Sequence, residues 1–347
     1  MSCCAECFGD RGLSRSIIPL RSTTNGRCAY CETDGVAIID PTELAEYFEL
    51  LVSAYRTDDT GKLLVHLFRE DWALFQNPRM MDDARAQGLL SDIFSGAEIT
   101  RQLFVPASDP TADRLSEWEN LCDELMYRNR YFPEKTIDLD RLESLLSPLT
   151  LDPGEVPAVW YRARIQTVDL PYTADQMGAP SKRAASHGRA NPAGIPYLYL
   201  GSDRDTAVSE IRPYTGETAC VGAFTTPLDL KLADLRNPRK MVSPFVLADA
   251  EDIGKMRNDL PFLEKLGDEL TRPVLPLSAA IDYTPSQYLC EFIKKCGYQG
   301  VVYRSSVSDG INLALFDPAL AQCGPVTQYR VNRVSVEVES IDAPHVL

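Results

Sequence analysis

The sequence predicts an α+β protein in three parts: a cysteine-bearing N-terminal segment, a helical region, and a region of strands alternating with helices. Three observations predict it. Two C-x2-C pairs lie within the first 31 residues. Apolar residues recur at three- and four-residue steps from Pro41 to about Pro148. After the turn-rich stretch Ser147–Pro157 the pattern shifts to short apolar runs bounded by Gly and Pro. The segments expected are 1–38, 39–150, 156–320, and a C-terminal strand and tail over 321–347.

The N-terminal pairs are Cys4/Cys7 and Cys28/Cys31, separated by the twenty residues Phe8 to Arg27. Each hairpin brings two thiolates to one ion, and two hairpins complete a tetrahedral zinc site. Four cysteines leave no open position, so the expected zinc is structural. Cys3 is an alternative to Cys4, at the cost of C-x3-C spacing. Gly9, Gly12 and Gly26 supply the turns. The other cysteines, Cys122, Cys220, Cys290, Cys296 and Cys323, have no such spacing and read as core.

The helical faces are Leu44, Tyr47, Phe48, Leu51 and Tyr55, continued by Leu63, Leu64, Leu67 and Phe68; then Leu115, Trp118, Leu121, Cys122 and Leu125; then Leu139, Leu142, Leu145 and Leu146. No catalytic constellation is visible there, and His66 reads as core-flanking.

Beyond the boundary, strands are expected at 159–168, 195–200, 220–225, 300–304 and 311–316, with a last one where Val334, Val336 and Val338 alternate with polar residues. Helices are expected at 205–212, capped by Asp205 and stopped by Pro213; at 251–270, interrupted by Pro261; and from Thr284, where a Thr cap, Pro285 and Gln287 agree and Gly297 closes the turn.

The chain carries 35 basic and 50 acidic residues, a net charge of -15. That balance disfavours nucleic acid and anionic membranes. No apolar run approaches the roughly 20 residues of a membrane span. The N-terminus lacks the basic-then-apolar form of a signal peptide, so a reducing cytoplasmic setting is expected.

Against that acidity, Gln176–Ser202 contains no Asp or Glu but holds Lys182, Arg183 and Arg189 among glycines, with Arg162 and Arg164 on the preceding strand. Guanidinium forks pair bidentately with phosphate or carboxylate, though a solvated basic loop reads the same way. Glu210 falls near the inward stripe of its helix, either an edge residue or a poised carboxylate. Tyr303–Asn312 joins two strands, with Ser305, Ser306 and Asn312 at strand ends. No Walker loop, GxGxxG or Ser-His-Asp set is present; His187 and His345 stand alone in this half.

Four blocks, taken together, resemble the RES domain family: Trp160-Tyr161-Arg162-Ala163-Arg164; Gly188 to Tyr199; Thr206-Ala207-Val208-Ser209-Glu210-Ile211-Arg212; and Tyr303-Arg304-Ser305-Ser306 with Asn312 to Phe316. They occur in family order over about residues 156–320. The helical region is similar to the N-terminal domain of HEPN/RES-type proteins. The resemblance implies a mixed β core like that of ADP-ribosyltransferase toxins, with a cleft for NAD. It also implies an NAD-degrading enzyme, often a toxin restrained by an antitoxin. Carried across, Arg162 or Arg164 takes the Arg role, Glu210 the Glu role, and Ser305, with Ser306 as competitor, the Ser role. Arg164, Arg189, Tyr199 and Asn312 match cofactor-binding positions.

The implied chemistry is cleavage of the nicotinamide–ribose bond by hydrolysis or phosphorolysis, with NAD as substrate and no catalytic metal. Transfer of ADP-ribose to a macromolecule, or nucleotide binding without turnover, are the alternatives. Oligomeric state is not readable.

Overall fold

The computed structural model describes residues 1–76, 81–107, 114–275, 277–335 and 338. The fold is α+β and divides into two compact units. One comprises Met1–Thr150, Ala233–Leu270 and Thr284–Leu289; the other comprises Leu151–Leu232, Thr271–Tyr283 and Cys290–Leu347.

In the first unit the expected helices form at Ala45–Val52, Leu64–Trp72, Arg114–Tyr127 and Leu139–Leu146, with a further one at Asp83–Ile93. Their apolar stripes meet in an aromatic core: the Phe48 ring lies 5.6 Å from Phe8 and 4.8 Å from Phe245. The long helix Ala250–Thr271 continues through Pro261. It buries Asp259, whose carboxylate pairs with Arg114 and, at 2.7 Å, with Arg141.

The helical reading of 44–68 needs correction. Tyr55 and Leu63 are not on a helix face; they bound a strand, Tyr55–Leu63, that pairs antiparallel with Leu103–Pro106. Thr57-Asp58-Asp59-Thr60-Gly61 has no apolar side chain to bury. Asp58 Oδ1 instead accepts from the Thr60 amide at 3.0 Å, a local turn that competes with helix.

The main sheet lies in the second unit except for Ala233 and Asp234 of one strand, which belong to the first. Its strands are β1 (Val159–Ile165), β2 (Leu198–Gly201), β3 (Thr218–Thr225), β4 (Leu232–Asp234), β5 (Gly300–Arg304), β6 (Ile311–Leu315) and β7 (Gln322–Arg330). The order is β7-β3-β1-β2-β6-β5-β4, with the pairs from β7 to β5 antiparallel. Among the described residues the last strand is β7, and the strand expected at Val334, Val336 and Val338 lies partly outside them. Val334 and Val338 lie outside any strand, and Val336 and His345 fall outside the described residues.

Two caps also differ. Asp203, not Asp205, caps the Arg204–Glu210 helix by accepting from the Thr206 amide at 2.8 Å. Thr284 is the first residue of its helix rather than its cap, and its buried hydroxyl has no hydrogen-bond partner.

Candidate functional site

The second unit's cavity forms where two neighbouring strands part. β1 and β3 keep seven register pairs, from Val159↔Thr225 to Ile165↔Ala219, whereas β1 and β2 keep only Tyr161↔Gly201. One row of the sheet, Tyr161–Gly201–Asn312–Tyr303, floors a cavity of about 320 Å³. Beside the point where pairing stops, the Tyr199 carbonyl accepts from Arg162 Nη1 at 3.2 Å.

Gly201 positions the wall. A Cβ there would stand 2.9 Å from the Ala207 backbone nitrogen, so the absent side chain lets the Arg204–Glu210 helix rest directly on the sheet. That contact brings the end of the helix to the cavity. Glu210 Oε1 accepts from Ser305 Oγ at 2.7 Å and from Asn312 Nδ2 at 2.6 Å. Both donors are buried, while Glu210 itself stays open to solvent and lines the cavity. Neither bond uses Oε2. Ser305 Oγ also accepts from the Val307 amide at 3.2 Å, so its proton is committed to Glu210.

Arg162 is a half-buried cation in the cavity lining. Burial, reinforced by the nearby Arg164 charge, draws its pKa down to about 10. Its Nε is sealed from water without a hydrogen-bond partner, and no carboxylate pairs with it among the described residues. Such a group is stabilised by an anion entering the cavity. Arg164 is not part of the lining; its Nη2 donates to the Gly178 carbonyl at 2.6 Å. Arg189 donates from Nη1 to the Arg272 carbonyl at 2.6 Å and from Nη2 to Ser306 Oγ at 3.1 Å, with its guanidinium 5.4 Å from the centre of the Tyr283 ring. Ser305 and Ser306 thus serve different partners.

Tyr199 lines the cavity with its ring, but its hydroxyl is fully engaged. It donates to Asn191 Oδ1 at 2.7 Å and accepts from the Ala190 amide at 3.0 Å, tying the glycine-bearing loop to β2. Burial raises the pKa of this hydroxyl and that of Tyr303.

The sequence reading did not single out Tyr161, Asn191 or Tyr283 as site residues. Tyr161 and Asn191 lie inside the recognised blocks, one as floor and the other as the partner of Tyr199. Tyr283 lies in no block, and only its contact with Arg189 reveals it. His187 also lines the cavity.

The first unit carries a second chemical centre. The sulfurs of Cys4, Cys7, Cys28 and Cys31 all lie within 4.8 Å of one another, and all four residues are buried. Tetrahedral Zn–S bonds of ~2.3 Å place sulfurs ~3.8 Å apart, so the cluster fits zinc. The second hairpin donates the Tyr30 amide to Cys28 Sγ at 3.5 Å. Each pair is followed by a left-handed residue, Gly9 at φ 69° and Glu32 at φ 62°, whereas Gly12 and Gly26 have no positive φ. Cys3 is outside the cluster; its backbone bridges to Ile39. Of the five cysteines read as core, Cys296 and Cys323 are only half-buried.

No helix among the described residues is long and apolar enough to cross a membrane. The family model of the RES domain matches residues 159–333. No curated protein matches the chain. Among solved structures, the crystal structure of the M. tuberculosis MbcT–MbcA toxin–antitoxin complex is similar at 15% identity, covering 56% of this chain and 94% of that chain, with a TM-score of 0.32.

Proposed function

This chain belongs to the RES domain family, and from that membership and the geometry of its cavity we propose that it consumes NAD by breaking the bond between nicotinamide and ribose. The observation that carries the reading is the Glu210 carboxylate, held through one oxygen by Ser305 and Asn312 with the other left for substrate. As the bond breaks, its electron pair leaves with the nicotinamide nitrogen and positive charge develops on the ribose. A fixed carboxylate beside that carbon stabilises the charge without having to reorganise.

The arginines bind the other end of the substrate. Arg162, half-buried in the lining and without a carboxylate partner among the described residues, takes the pyrophosphate, and Arg189, braced by Ser306, the Arg272 carbonyl and Tyr283, holds its orientation. The volume of about 320 Å³ is at the lower end of small-molecule sites, roughly 300–1,000 Å³. It suits the nicotinamide riboside end, with the rest of the dinucleotide reaching outward. The acceptor is water or phosphate.

In this reading the protein is a toxin or defence effector held in check by an antitoxin-like partner, acting in the cytoplasm. The cysteine cluster holds one structural zinc, supplied by Cys4, Cys7, Cys28 and Cys31, which ties the two hairpins together and takes no part in the cleavage.

The test is purified protein with NAD, with and without phosphate, and chromatography of the products. Free ADP-ribose, or its phosphorylated counterpart when phosphate is present, is expected together with stoichiometric nicotinamide. Binding of NAD without nicotinamide release would overturn the proposal.

A further inference from the structure

The Arg204–Glu210 helix has a second face. Ala207 and Glu210 line the cavity with Ile211 just past the helix end, while Arg204 and Val208, four residues apart, line a separate groove of about 1010 Å³ with Arg212, which lies beyond the helix at φ 47°. The far wall of the groove is Tyr329 to Ser335, the end of edge strand β7 and the segment after it.

Four arginines meet here: Arg204, Arg212, Arg330 and Arg333. Outside the two cavities several arginines pair with acids, as at Arg56, Arg69, Arg114, Arg141, Arg236 and Arg239. In the groove none of the four has a carboxylate partner among the described residues. Arg204 instead donates to the Tyr329 hydroxyl at 3.2 Å and lies over its ring. Asp203 is also in the wall, but it is engaged by the Thr206 amide and by the Thr206 and Ser202 hydroxyls. Asp205 is the remaining acid there. In a chain of net charge -15, four arginines beside two aspartates among the described residues, one of the two already engaged, form a site for an anion.

The rest of the lining says which anion. Val208, Val307, Val331 and Val334 interleave with the arginines, and Tyr329, the one aromatic ring in the lining, is already covered by Arg204. A nucleic acid would find phosphate contacts but no platform for its bases. A peptide whose carboxylates alternate with aliphatic side chains matches both features. We propose that this groove docks an acidic, aliphatic segment of a partner protein. Because one short helix separates the groove from Glu210, docking there bears on the cavity. That regulatory part rests on the NAD reading; the docking itself does not.

The probe is a fluorescein-labelled eight-residue peptide of alternating Glu and Val, followed by anisotropy on the full chain at about 20 mM and about 500 mM salt. The peptide is expected to bind at low salt and to weaken at least about tenfold at high salt. The double variant Arg330→Glu/Arg333→Glu should lose at least about tenfold in affinity, with its circular dichroism and peptide-free NAD consumption unchanged. Arg128→Glu, an exposed charge reversal in the first unit, should bind as wild type.

Three results would overturn the proposal. One is peptide binding indifferent to the reversal. Another is a single-stranded octanucleotide of equal charge binding more tightly with the same arginine dependence. The third is light scattering that shows the groove closed by a second copy of the chain, released by the reversal. Absent peptide binding with NAD still consumed removes the docking site alone; peptide binding with NAD never consumed removes the NAD reading alone.

Discussion

Replacing Glu210 by Gln isolates the charge from the geometry. Oε1 receives two donors, Ser305 Oγ at 2.7 Å and Asn312 Nδ2 at 2.6 Å. The amide oxygen of Gln accepts both, so the side chain keeps its place and an NH2 group replaces Oε2. What is lost is the negative charge beside the ribose. Removing one preorganised group that stabilises a transition-state charge costs about 10²–10³ in kcat, or ~2.7–4 kcal/mol. Asn312→Ala is the internal comparison. It removes one of two hydrogen bonds but leaves the charge, and should cost on the order of tenfold. The assay is nicotinamide release by chromatography, with NAD affinity measured by calorimetry on all three proteins. Affinity should change little, and rates should fall in the order wild type, Asn312→Ala, Glu210→Gln. Normal turnover by the Gln variant, or a larger loss from Asn312→Ala, would refute the reasoning.

Arg162→Lys and Arg189→Lys should each lower turnover at least about tenfold, because a lysine keeps the charge but loses the planar fork; wild-type kinetics in both would show that neither arginine holds the substrate. Elemental analysis of reduced protein should find one zinc per chain bound by sulfur at ~2.3 Å, and Cys28→Ser should release it and lower the melting temperature while nicotinamide release persists. Asp10 makes a pH prediction. Burial lifts its pKa from 3.8 to about 6, against hydrogen bonds from the Leu13 amide and Ser243 that lower it. The folded state therefore binds this proton more tightly than the unfolded chain, and stability falls as pH rises from about 4 to about 6, by up to ~3 kcal/mol. Asp10→Asn should flatten that slope in urea titrations and be the more stable protein at pH 7; an unchanged slope would rule Asp10 out as its cause.

Local signals were read well and non-local ones poorly. Paired cysteine spacing implies a shared ion whatever the intervening fold, and the structure gathers Cys4, Cys7, Cys28 and Cys31. The strands around 159, 218, 300 and 311 were visible because alternation and bounding glycines act within a few residues. The hairpin Tyr55–Leu63 with Leu103–Pro106 was not visible, since its stability depends on a partner 40 residues away, and apolar residues on either side mimicked a continuous helical stripe. Asp203 outcompeted Asp205 as cap because the helix begins one residue earlier than its periodicity implies. In the cavity, the separation of Arg162 from Arg164 and of Ser305 from Ser306 depends on side-chain contacts that neighbouring positions in a motif cannot distinguish. Tyr283 and the close approach at Gly201 had no sequence signal at all.

If the proposed reaction is right, the unpaired cation at Arg162 would link the protein's lifetime to it. A half-buried guanidinium whose Nε has no hydrogen-bond partner, and which no carboxylate pairs with among the described residues, is a cost to the folded chain. Occupancy by an anion relieves the deficit, and the relief grows with the logarithm of ligand concentration. If that anion is NAD, the ligand that stabilises the protein is the molecule it destroys. Abundant NAD would protect the folded chain, and depletion would return it to its least stable form, most open to proteolysis. The arrangement thus carries its own decay, with duration of action set by the supply that the action removes.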